Sequence, residues 1–201
     1  MEIELKRIGY DPRLDESAFV ANLHVNGEKA AMVNSRAGNT QYYALDEKGA
    51  DLVAQVEEYL KKQPGEKRMV DGKEQVVKQT LTGRIDALFG EYLAGIELKK
   101  FERKVQLMEK QNIVIGEPGR YMRTIPTKAQ VSILVNGNNK DLIMELLTKK
   151  AIPSMTEGEK ILNTNIPTGI LKEAGANADQ LIDNNKQELK PAQKKKTGIK
   201  P

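Results

Sequence analysis

The chain has 201 residues, 39% hydrophobic and 30% charged, with a formal net charge of +4, one histidine and no cysteine or tryptophan. This length supports one well-formed core with room for a small second lobe, and the absence of cysteine excludes disulfides and thiolate metal sites. No apolar run exceeds four residues, against the roughly twenty a membrane-spanning helix needs, and Met1-Glu-Ile-Glu-Leu-Lys-Arg7 lacks a signal-peptide core, so a cytoplasmic protein with no membrane partner is expected.

Ile3 and Leu5 alternate with Glu2, Glu4 and Lys6, the period-two pattern of a half-buried strand. Ile8 and Tyr10 fall in the opposite phase, which places a bulge or the strand's end near Gly9. Asp11-Pro12 opens a loop. Phe19 to Val33 reads as a hairpin turning at Asn26-Gly27, the pair that most readily supplies two positive φ angles. A three-stranded antiparallel meander follows from these signals. In its second strand Phe19, Ala21, Leu23 and Val25 share one face, while Val20, Asn22 and His24 share the other. His24 is expected as an exposed strand residue, because no second histidine or cysteine is present to join it in a metal or catalytic site.

Asn34 to Thr40 reads as a polar loop leading into Gln41-Tyr42-Tyr43. Asp46 is placed to cap a helix whose Leu52, Val53, Val56, Tyr59 and Leu60 fit one apolar stripe, stopped by Gln63-Pro64-Gly65. Residues 66–73 read as polar and exposed, and 74–111 as helical. The apolar stripe from Leu81 to Ile96 shifts phase after Ala94-Gly95, which predicts two helices or one kinked helix.

Residues 112–116 and 120–125 flank Glu117-Pro118-Gly119, a turn signal between two strands. Residues 127–135 fit a strand or a short helix capped by Thr127. Asn139 is then expected to cap a helix through Lys150 with Leu142, Ile143, Leu146 and Leu147 inward, ended by Pro153. Residues 159–166 read as a last short strand, and Leu181-Ile182 as a docked helical turn. The expected class is α+β: a small antiparallel sheet, from the N-terminal meander plus the later hairpin, packed against helices, with a helical middle segment and a flexible lysine-rich tail. The expected divisions are an N-terminal unit over 1–63, a helical and hairpin region over 74–175 and the tail over 176–201.

Residues 186–201 hold six lysines and one glutamate, a net +5, so residues 1–185 sum to −1. The basic character therefore belongs to the tail, where Lys194, Lys195 and Lys196 form a candidate polyanion-binding run. In the remainder, Arg36, Asn39, Tyr42 and Tyr43 precede a helix start, a setting that suits an anion or a nucleotide. Arg120, Tyr121 and Arg123 form a basic, aromatic group suited to nucleic acid. Asn163 and Asn165 interrupt an apolar segment and either line a pocket or satisfy neighbouring backbone. No G-x-S-x-G, H-E-x-x-H or Walker pattern is present. No catalytic residue, metal ligand or cofactor is therefore assigned.

Glu4-Leu-Lys-Arg-Ile8, Arg13-Leu-Asp-Glu-Ser17, Val20-Ala-Asn-Leu-His-Val-Asn-Gly-Glu-Lys29, Tyr42-Tyr43 and Ile161-Leu-Asn-Thr-Asn165 together resemble a family of small uncharacterised bacterial proteins associated with phages, plasmids and integrated elements. Where that family carries a glycine-richer loop, this chain has Ser35-Arg-Ala-Gly-Asn39. The resemblance implies a mobile-element setting. With the missing catalytic patterns, it leads to the expectation of a non-enzymatic binding protein whose partner is a host or element-encoded protein, for instance a host defence factor. The alternatives are an accessory nucleic-acid-binding protein and a protein that sequesters a small nucleotide.

Overall fold

A computed structural model describes residues 1–13, 15, 17–70, 72–136 and 139–182. The chain is α+β and divides into two compact units, Met1–Ile96 and a second beginning at Glu97. That division falls inside the helix Leu81–Met108.

The first unit is built on a four-stranded antiparallel sheet in the order β1 (Ile3–Tyr10), β2 (Phe19–Val25), β3 (Glu28–Arg36), β4 (Asn39–Ala44). The β2–β3 turn is the expected one, with Asn26 and Gly27 at φ 49° and 85°. The segment read as a polar loop is instead a second tight hairpin: Arg36 pairs with Asn39, and Ala37 and Gly38 take φ 50° and 73°. Alanine gives no signal for such a turn, because the left-handed region costs an L-residue about 1–2 kcal/mol. The expected irregularity in β1 is present as a register shift between Lys6 and Gly9.

Alternation along the strands sets two faces. Phe19, Ala21, Leu23 and Val25 of β2 point inward with Ala31 and Val33 of β3, and all are buried. α1 (Glu47–Lys61) contributes Val53, Val56 and Leu60 to the same core. Its Asp46 cap accepts from the Gly49 N–H at 2.7 Å. Tyr59, read as part of the apolar stripe, is exposed. Phe89 stacks on Phe19 with ring centroids 3.9 Å apart and meets Tyr10 edge-on at 5.3 Å.

Residues 66–77 form a separate antiparallel pair, β5 (Glu66–Val70) and β6 (Lys73–Val77), rather than an exposed stretch running into a helix. Val70 pairs with Lys73, and Gly72 just before Lys73 takes φ 75°. The Asp71-Gly72 pair in the sequence is the same kind of hairpin signal as Asn26-Gly27. α2 accordingly starts at Leu81 and runs unbroken to Met108, so Gly95 interrupts nothing. The phase shift has another origin. Leu81, Ile85 and Phe89 enter the core of the first unit, whereas Val105 and Phe101 join a small cluster with Val114 and Leu162 in the second.

The second unit holds a three-stranded antiparallel sheet in the order β8 (Tyr121–Pro126), β7 (Asn112–Glu117), β9 (Lys160–Ile161). The expected β7–β8 hairpin is present and sits in this sheet, not in the N-terminal one. β7 is central: Ile113 and Ile115 belong to the main core with Leu134, Ile143, Leu147 and Ile161, while Val114 meets the small cluster.

The ambiguous segment contains a short helix, α3 (Val131–Val135), which Thr127 does not cap; its hydroxyl donates to the Ala129 carbonyl at 2.6 Å. α4 (Lys140–Leu146) continues into a π-helical turn, Leu147–Ala151, and a 3₁₀ turn, Ile152–Ser154. The Asn139 side chain makes no capping bond, and Leu142 is exposed instead of inward.

The predicted strand over 159–166 is cut to two residues, because at Asn163 a side chain takes over from the ladder: its Oδ1 accepts from the Val114 N–H at 2.7 Å. α5 (Thr168–Glu173), absent from the sequence reading, follows. Leu181 docks through a parallel bridge to Ile161 after a 3₁₀ turn at Ala178–Gln180. Among the described residues no helix is long and apolar enough to cross a membrane.

Candidate functional site

The β3–β4 hairpin separates the four residues that the sequence grouped. Arg36 and Asn39 pair at its tip. Tyr42 and Tyr43, one step apart on β4, point to opposite faces of the sheet. Tyr42 is half-buried and donates to Glu57 Oε1 at 2.5 Å. Burial, and then the hydrogen bond to the Glu57 carboxylate and its negative charge, push the Tyr42 pKa up to about 12. Nearby, Thr40 Oγ1 lies 2.6 Å from Asp86 Oδ1 and 2.9 Å from Ser35 Oγ, so Thr40 donates to the carboxylate and accepts from the serine. An open cleft of about 910 Å³ adjoins Tyr42 and Glu57 and is also lined by Lys61, Lys78 and Thr80.

Tyr43 belongs to the outer face of the sheet. Register places Asn22, Met32 and Tyr43 in one cross-strand row and Val20, Asn34 and Gln41 in the next. Val20 and Met32 are each 53% exposed and Tyr43 is 58% exposed. The Tyr43 hydroxyl donates to Gln41 Oε1 at 2.7 Å, which fixes both side chains on this face. None of the six residues is charged, although 30% of the chain is. Charge appears on the neighbouring β1, where Lys6 pairs with Glu4 at 2.9 Å. His24 lies on the same face and is half-buried, its Nδ1 3.2 Å from the Gly27 carbonyl. Of the six residues in the two rows, the sequence marks only Tyr43 as a candidate binding residue. Alternation already marked Val20 and Asn22 as outward, but the missing fourth strand hid the rows they belong to.

The basic group on β8 is charge-compensated. Arg120 Nη1 donates to both Glu117 carboxylate oxygens at 2.7 Å. Arg123 donates through Nε and Nη2 to the two oxygens of Glu159 at 2.9 and 2.8 Å, and through Nη2 to the Ser154 carbonyl at 2.7 Å. The Arg123 bonds, aided by the Thr156 N–H, pull the Glu159 carboxyl down to about 2. Tyr121 stands beside them, 46% exposed.

Asn163 and Asn165 are turned to the backbone. Besides its bond to Val114, fully buried Asn163 donates to the Asn112 carbonyl and to Asn165 Oδ1, both at 3.0 Å. Asn165 donates to the Glu109 carbonyl at 2.8 Å, and the buried Glu109 carboxylate accepts from the Thr164 N–H at 2.6 Å. Every polar group here has a partner within the protein, the usual condition of buried polar side chains.

Lys194, Lys195 and Lys196 lie outside the described residues. Among the described residues no group of three His, Asp or Glu side chains is arranged to hold a metal ion. No family model, curated protein or solved structure matches the chain.

Proposed function

We propose that the chain is a non-enzymatic, cytoplasmic binding protein of phage or mobile-element origin that works by occupying a host or element-encoded protein, with inhibition of a host defence factor as its concrete form. One observation carries the binding part of this reading: six uncharged side chains, with Val20, Met32 and Tyr43 more than half exposed, in two cross-strand rows on the outer face of the N-terminal sheet. Protein interfaces favour tyrosine and methionine at their centres and disfavour lysine and glutamate, and rigid tyrosines give contact area at little entropic cost. The mobile-element setting rests on the resemblance of the N-terminal segments. In a pull-down from host lysate at near-physiological salt, the wild-type chain is expected to retain a discrete partner that the double variant Met32→Glu, Tyr43→Glu loses. Retention of nothing by the wild type removes the support for this reading.

A second reading, sequestration of a small nucleotide, draws on the cleft that sets Tyr42 beside Lys61 and Lys78. A thermal-shift screen against nucleotides separates the two, since a ligand at a hundred times its dissociation constant stabilises by about 2.7 kcal/mol. The nucleic-acid alternative draws on the tail lysines, because Arg120 and Arg123 are already paired with carboxylates.

A further inference from the structure

The second unit carries a different kind of surface. Leu134, Leu142 and Leu146, from α3 and α4, line a groove of about 280 Å³ together with Lys128, Lys149 and Lys150. Leu142 is 45% exposed on its helix although apolar, and Leu134, which lines the same groove, is buried. The one acid in the groove, Glu145, is paired with Lys149 at 2.9 Å. Lys128 and Lys150 have no ion-pair partner among the described residues. The groove therefore combines an aliphatic floor with three ammonium groups, Lys128, Lys149 and Lys150, around the single Glu145 carboxylate, an excess of positive charge.

The helix that forms it is irregular at this point. Leu147–Ala151 is a π-helical turn in which the Ile152 N–H reaches back five residues to the Leu147 carbonyl. Such turns insert one residue into a helix, are rare, and occur often at functional sites. Here the turn carries Lys149 and Lys150. Leu147 and Ala151 of the same turn are buried in the core, while Lys149 and Lys150 between them are exposed and line the groove.

We propose that this groove docks a short acidic segment of a partner protein, seated by one or two leucine-sized anchors. Charge complementarity selects the occupant: the rim asks for carboxylates and the floor for aliphatic side chains. Nucleic acid fits the rim but not the floor, because no aromatic ring or arginine lines it on which a base could stack. The chain's own lysine-rich C-terminal segment has the wrong sign. This surface stands independently of the sheet face discussed above, and its test does not share that reading's outcome.

The test uses the full chain and a fluorescein-labelled peptide of sequence EDLLEDLE, followed by fluorescence anisotropy. Saturable binding is expected. It should weaken about tenfold when the peptide leucines become serines, and about tenfold again for the protein variant Lys128→Glu, Lys150→Glu, with circular dichroism unchanged because both side chains are exposed. Leu142→Asp should act in the same direction. Three results overturn the proposal: no binding up to millimolar protein, equal binding of the serine peptide, or binding unaffected by charge reversal. Displacement of the peptide by an oligothymidylate at equal or higher affinity also overturns it, in favour of a nucleic-acid surface.

Discussion

Arg123 and Glu159 meet in a two-point ion pair, Nε to Oε1 at 2.9 Å and Nη2 to Oε2 at 2.8 Å, that ties β8 to the turn before β9. The glutamate side chain is 3% exposed and the arginine 37%. Truncation of one partner therefore strands a buried carboxylate. Arg123→Ala is expected to cost about 2–4 kcal/mol in urea unfolding at pH 7, with Arg123→Lys recovering only part, since a lysine cannot present two parallel donors.

The same pair sets a pH dependence. Glu159 falls from the ordinary value of 4.5 to about 2 in the folded chain. A lowered folded-state value adds stability that is fully present above about pH 4.5, declines as the pH falls below it, and is gone below about 2. Solvent at the guanidinium reduces the contribution to about 1–2 kcal/mol. Urea midpoints at pH 7 and pH 3 should differ less in Glu159→Gln than in the wild type.

Gly49 and Gly90 offer opposite outcomes from one substitution. A Cβ on Gly49 would stand 2.3 Å from the Ala30 carbonyl oxygen, where α1 closes on β3. Nothing lies within 4 Å of a Cβ on Gly90, in the middle of α2. Gly49→Ala should lower stability by more than about 2 kcal/mol, and Gly90→Ala should raise it by about 0.5–1 kcal/mol through helix propensity. Thermal unfolding of both variants reads the contrast.

Asn163→Ala removes the acceptor of the Val114 N–H and two further bonds at a fully buried position. The expected cost is about 2–3 kcal/mol, from a stranded backbone donor. A ligand-binding role predicts instead that stability holds while binding is lost. Calorimetric unfolding decides between the two.

These positions also show why some of the fold was legible from residues alone. Asn26-Gly27 announced its hairpin because both residue types tolerate positive φ. The alternation of β2 set its faces, and Glu117-Pro118-Gly119 marked the β7–β8 turn. Ala37-Gly38 carries no such signal, so neither β4 nor the rows formed by Met32, Asn34, Gln41 and Tyr43 is encoded in a local pattern. Asp71-Gly72 did carry the signal, but it sat between polar stretches that looked like solvent-exposed chain. The phase shift in α2 was real, and its cause, two cores served by one helix, depends on which segments each half meets. Partnerships such as Arg123 with Glu159, or Asn163 with Val114, span 36 and 49 residues. No local pattern encodes separations of that size.

Ala37 provides a direct check on the missed turn. Its φ of 50° is strained for alanine, and asparagine tolerates that region better. Ala37→Asn should raise the free energy of unfolding by about 0.5–1 kcal/mol in urea denaturation, with no change in hairpin register by NMR.

Site-specific photo-crosslinking addresses the sheet face itself. A benzophenone side chain placed at Met32 or Tyr43 should yield one discrete adduct in host cells, while the same group at Gln55, exposed on α1, should yield none. Adducts of equal yield at all three positions, or at Gln55 alone, contradict a docking role for the outer face of the N-terminal sheet.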